Sequence, residues 1–102
     1  MAWTLVTSNE TWVVAANSSK IYGRAIVNKS MYLLVTDVSN SDPSNIVNCK
    51  LKIVSSGDTI FSNNVLSYYS GFKFLSTTDE QCNFTFDNLS GASVLIQLYI
   101  WQ

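Results

Sequence analysis

Between Val94 and Trp101 every second residue changes character: Val94, Ile96, Leu98 and Ile100 are aliphatic, while Leu95, Gln97, Tyr99 and Trp101 mix apolar, amide and aromatic groups. A period of two is the signature of an extended strand, whose successive side chains point to opposite faces of a sheet. The spacing therefore predicts a long strand with one face in a core. Its other face is only partly covered or meets a partner. The same alternation turns Val47, Cys49, Leu51 and Ile53 inward and Asn48, Lys50 and Lys52 outward. It also turns Cys82, Phe84 and Phe86 inward, with Asn83, Thr85 and Asp87 toward water. Three long alternating strands commit the chain to an all-β fold.

Shorter β-rich runs cover Trp3 to Thr7, Thr11 to Ala16, Ile21 to Val27, Met31 to Val38, Thr59 to Phe61, Val65 to Tyr69 and Phe72 to Leu75. Between the runs lie residues that supply local acceptors or a positive φ: Asn17-Ser18-Ser19, Asn28-Lys29-Ser30, Ser55 to Asp58, Ser62-Asn63-Asn64, Ser70-Gly71 and Asn88 to Gly91. Breaks at roughly 8 to 12 residues are the spacing of a sandwich or barrel. Ser39 to Asn45 is the longest break, and with Pro43, the only proline, it is the natural crossover between two sheets. No long 3.6-residue period is present, so at most one helical turn is expected, within Asn63 to Tyr69. With 102 residues, and neither repeat nor linker, the reading is a single β-sandwich domain spanning 1–102. Both cysteines follow Trp3 and Trp12 and precede Trp101, which is not the order of an immunoglobulin core. A two-sheet antiparallel jelly roll of about eight strands accommodates the pattern.

Charge then narrows function. Only 13% of residues are charged and the net charge is -1, so there is no positive field for a nucleic-acid backbone. Histidine is absent, which removes imidazole-based nucleophilic triads and the commonest metal ligand. No cofactor is expected: the four glycines form no phosphate cradle. The chain reads as non-enzymatic. Nor does it hold an apolar run of the roughly 20 residues that span a bilayer as a helix. Residues 1–8 lack the basic and apolar regions of a secretory leader. Ser, Thr and Asn make up 33 residues, giving a polar but uncharged exterior with little like-charge repulsion, suited to assembling, glycosylated or externally exposed proteins.

In its absent histidine, neutral Ser/Thr/Asn loops and long apolar final strand ending at Trp101-Gln102, the chain resembles the single jelly-roll coat proteins of viruses. The resemblance implies a structural protein of the virion, exposed on the particle exterior and packing against itself or other coat subunits. Otherwise it is extracellular. The alternative is a lectin-like carbohydrate-binding module, in which flat rings stack on sugars beside amide hydrogen-bonders.

Individual residues divide between these readings. Tyr99 and Trp101, with Gln97 on the same face, are the candidate interface with a protein neighbour. Tyr68, Tyr69, Trp12, Tyr99 and Trp101 are the candidate sugar-stacking rings. Cys49 and Cys82, both inward, either form one disulfide or remain buried thiols, and with no histidine they do not build a zinc site by themselves. Five sequons, at Asn9, Asn17, Asn28, Asn83 and Asn88, compare with roughly two expected by chance in a chain this rich in Asn, Ser and Thr, and offer a glycan-bearing surface. Asp79-Glu80 is the only acidic neighbour pair and reads as solvated loop. The run from Asp37 to Asp42 has alternating oxygen ligands, but Asp42 and Asn48 stand where a calcium loop needs glycine and glutamate, so it reads as ordinary loop.

Overall fold

The computed structural model describes residues 1–37, 46–66, 69–76 and 78–102, with Tyr69 described by its backbone alone. Among the described residues nine strands follow in order: β1 (Trp3–Leu5), β2 (Trp12–Val14), β3 (Ser18–Ala25), β4 (Ser30–Asp37), β5 (Ile46–Ile53), β6 (Thr59–Leu66), β7 (Tyr69–Leu75), β8 (Gln81–Asn88) and β9 (Val94–Trp101). They form two antiparallel sheets. One has the order β1-β9-β4-β7, with β2 also paired to β9; the other has the order β3-β8-β5-β6. The result is a jelly-roll β-sandwich. Among the described residues no helix is long and apolar enough to cross a membrane.

Period-two patterning carries through to burial. Val94, Ile96, Leu98 and Ile100 face the core from β9; Val47, Cys49 and Leu51 face it from β5, and Cys82, Phe84 and Phe86 from β8. Ile53, the last of its inward set, is only half-buried. Met31, Leu33 and Val35 of β4 complete the apolar seam between the sheets. Each fully buried side chain of this size contributes about 1.5–3 kcal/mol through removal from water. The edge strand beside β9 changes hands midway: β1 pairs with residues 99–101 and β2 with 94–96. Between them the hydroxyl of buried Thr7 accepts from the Leu98 N–H at 3.2 Å, standing in for a missing ladder carbonyl.

Two predicted breaks are not breaks. β6 runs straight through Ser62-Asn63-Asn64, and the helical turn expected from Asn63 is strand as far as Leu66; residues 67–68 lie outside the described residues. β7 likewise passes through Ser70-Gly71. Both strands are sheet edges, paired on one side only, so turn-forming polar residues lose little by remaining extended. In β6 the pairing also gives Asn64 a cross-strand partner, Asn48, whose amide donates to it at 2.7 Å. The other breaks hold turns but are shorter than read, since Ser18-Ser19 already open β3, Ser30 opens β4 and Asn88 closes β8; Asn17 sits at φ 53° and Gly57 at φ 74°. The crossover around Pro43 lies outside the described residues, although the strands on either side of it, β4 and β5, belong to different sheets.

Candidate functional site: an aromatic face on the five-stranded sheet

On the outer face of the β1-β9-β4-β7 sheet, register assembles rings that are far apart in the chain. Trp3 of β1 lies opposite Trp101 of β9, and Tyr99 lies opposite Tyr32 of β4. The Trp3 ring stands between two others, 5.9 Å from Tyr32 at 59° and 5.2 Å from Trp101 at 63°. Tilted and edge-on pairs of this kind are the geometry that ring quadrupoles favour. Two hollows adjoin at Trp3. One, of about 300 Å³, is lined by Trp3, Tyr32, Leu34 and Tyr99. The other, of about 230 Å³, is lined by Trp3, Ser30, Lys73 and Trp101. Trp3 and Trp101 remain 39% and 36% exposed, which leaves ring surface free for a ligand.

Gly71 belongs to the same arrangement. On β7 it lies opposite Leu34 of β4, and a Cβ there would come within 2.6 Å of Tyr32 ring carbons. The phenol of Tyr32 therefore lies over bare backbone, and any side chain at 71 displaces it.

The sequence pointed to this face through Tyr99 and Trp101 and missed half of it. Gln97 shares the face, opposite Leu34, one step along β9 from Tyr99. Trp3 escaped because a three-residue strand shows no period. Tyr32 escaped because β4 is apolar on both faces around Leu33 and Leu34, so no alternation marks Tyr32 as outward.

Other candidates are placed elsewhere. Trp12 is not a sugar platform: it points inward from β2 opposite Ile96, is 3% exposed, and stacks on Tyr22 at 4.8 Å and 9°. Tyr68 and the Tyr69 side chain lie outside the described residues. Cys49 and Cys82 are free thiols rather than a disulfide. Although β5 and β8 are neighbours, Cys49 lies opposite Phe86 and Cys82 opposite Ile53, four residues apart along the strands, roughly 13 Å at strand rise and beyond disulfide reach.

Burial pushes the Cys49 thiol from its ordinary 9.0 up to about 12. Cys82 is raised in the same direction, first by burial and then by the Glu80 charge. The raised native value means that the unfolded thiol ionises first as pH rises. The stabilisation is complete below about pH 9 and is lost as pH climbs toward 12. Iodoacetamide at pH 8.5 is expected to leave both thiols unlabelled in native protein and to label both in denaturant, as read by mass spectrometry.

Of the sequons, Asn9, Asn17 and Asn28 are exposed and Asn83 is half-buried on β8. Asn88 is not available in the folded domain, because it is 1% exposed and its two amide hydrogens are shared among the carbonyls of Val14, Ala15 and Ala92. Asp79 and Glu80 serve their loop. Asp79 accepts from the Asn28 N–H at 2.7 Å. Glu80, held below the usual carboxylate range by the hydroxyls of Thr78 and then Ser55, accepts from both. Asp37 is buried at the end of β4, and the rest of the calcium-like run lies outside the described residues. Among the described residues no group of three or more His, Cys, Asp or Glu side chains is placed to hold a metal.

No protein-family model matches the chain, and no relative is found among curated proteins. Solved structures share the fold. The mitogen of Yersinia pseudotuberculosis superposes with a TM-score of 0.58 at 8% identity, covering 99% of this chain and 87% of that one. A family 36 carbohydrate-binding module, in complex with calcium and xylotriose, gives 0.53 at 10% identity over 100% of both chains. A family 29 carbohydrate-binding module gives 0.54 at 10% identity, covering 99% of this chain and 77% of that one. Identities this low establish the jelly roll alone. These neighbours are not coat proteins, so the resemblance to viral capsids is carried no further than the architecture.

Proposed function

We propose that this chain is a non-catalytic carbohydrate-binding domain that lays a soluble glycan along the aromatic face of its five-stranded sheet. The observation that carries the reading is the Trp3 ring, set between Tyr32 and Trp101 and dividing two adjoining hollows. Sugar rings present apolar C–H faces to aromatics and hydroxyls to amides and phenols, and this face offers both kinds of group. Three inclined rings make no flat plane, which favours a single chain lying in a groove over the planar face of a crystalline polysaccharide. The larger hollow sits at the lower end of the usual roughly 300–1,000 Å³ for small-molecule sites. The sugar-binding modules among the neighbours, alike only in fold, agree with this reading.

The test is a panel of soluble oligosaccharides and insoluble polysaccharides offered to the chain, with its mass in solution followed by light scattering. Saturable binding of soluble oligosaccharides by a monomer is expected, with no preference for crystalline material. In Gly71→Ala the displaced Tyr32 phenol is expected to weaken that binding while stability changes by less than about 1 kcal/mol, since the atoms that must move end a side chain. A chain that ignores every sugar and instead forms discrete oligomers or particles through this face overturns the proposal in favour of a coat protein of the virion.

A further inference from the structure

Resting on the glycan reading above, we infer that the ligand is acidic and that Lys73 reads its carboxylate or sulfate ester at the second hollow. The inference starts from where charge falls. Lys20 belongs to β3, Lys50 and Lys52 to β5, and Lys29 to the loop before β4, so Lys73 is the only lysine on the five-stranded sheet. Arg24 is on β3, where it pairs with Glu10. The acids avoid this face too. Asp87 lies on β8, Asp58, Asp79 and Glu80 lie in turns and loops, Asp37 points inward from β4, and Asp42 is outside the described residues. In a chain carrying net charge -1, one sheet face thus bears a single charged side chain, with no acidic side chain beside it among the described residues.

Its position is what gives that cation a ligand role. Lys73 lies opposite Tyr32 on β4 and lines the 230 Å³ hollow with Trp3, Trp101 and Ser30. A sugar stacked on Trp3 or Trp101 would bring a ring substituent beside the ammonium and the Ser30 hydroxyl. Lys73 is exposed and free to turn toward a ligand, and its bond to an anion is charge-assisted on both sides, which makes it stronger than its bond to a neutral hydroxyl. β7 is a sheet edge, where a lysine also serves to discourage strand pairing. That duty asks for a charge somewhere along the strand and predicts no preference among sugars.

Paired ligands separate the possibilities. Uronate tetramers are titrated beside their carboxyl-reduced twins, and sulfated tetramers beside their desulfated twins, by calorimetry at low and high salt. Acidic members are expected to bind about three- to tenfold more tightly than their neutral twins at low salt. The advantage should shrink as salt rises, vanish in Lys73→Gln and persist in Lys73→Arg. Which pair shows it identifies carboxylate or sulfate. Equal affinity within every pair, unchanged in Lys73→Gln, overturns the inference while leaving sugar binding intact and Lys73 an edge guard. Failure of every member to bind removes the glycan reading itself, and this inference with it.

Discussion

Replacing Asn88 with alanine is expected to lower the unfolding free energy by about 3–5 kcal/mol, among the largest effects of any single polar substitution in the domain. The side chain is a buried hub. Its two amide hydrogens are shared among the carbonyls of Val14, Ala15 and Ala92 at 3.1, 3.1 and 2.8 Å, so one of them is bifurcated. Its amide oxygen accepts from the Ser90 N–H at 2.9 Å and the Ser90 hydroxyl at 2.6 Å. One residue thereby closes the end of β2, the end of β8 and the turn leading into β9. Alanine strips the buried Val14 carbonyl and Ser90 N–H of their Asn88 bonds, each at a cost of roughly 1–3 kcal/mol, while the Ala92 carbonyl keeps the Ser90 hydroxyl. Asn88→Asp should be no better, because a carboxylate offers acceptors to three carbonyls. Urea unfolding is the measurement. A lowered midpoint with an unchanged slope is expected, and a loss below about 1 kcal/mol would show that the hub is dispensable.

Replacing Trp3 with alanine is expected to abolish most sugar binding while leaving the fold nearly as stable. Trp3 lines both hollows and touches both neighbouring rings, so its removal merges the two subsites and takes away the stacking surface common to them. Ring anchors at the centre of a binding site typically account for about 2 kcal/mol or more, which corresponds to a loss of about thirtyfold or greater. The ring is 39% exposed on a three-residue edge strand, so the cost to folding should stay near 1 kcal/mol. Trp12→Ala is the matched control. That ring is buried against Tyr22, Phe84 and Phe86, and its loss should cost about 3–5 kcal/mol in stability. If Trp3→Ala binds sugars as the unmodified chain does, the aromatic face is not the site.

The legible part of this fold lies in strands covered on one face only. β5, β8 and β9 could be oriented residue by residue because a half-buried strand must alternate, and the alternation is written locally. β6 and β7 resisted for the converse reason. As edge strands they tolerate Asn, Ser and Gly in their interiors, so local turn chemistry outvoted a ladder that is set by the neighbouring strand. The cysteines show the same limit in a sharper form. Their inward direction was readable, but the four-residue offset between them along β5 and β8 was not.

Direction is a local property and proximity is not. The alternation of residues 94–101 was enough to send Val94, Ile96, Leu98 and Ile100 inward and to leave Tyr99 and Trp101 on an outer face, because a period of two follows from backbone geometry alone. That Trp3 should stand beside Trp101, with Tyr32 across from Tyr99 and Lys73 across from Tyr32, was decided by strand order and register. Those are set by how two sheets close over a shared core, and no window of sequence short enough to read contains both members of such a pair.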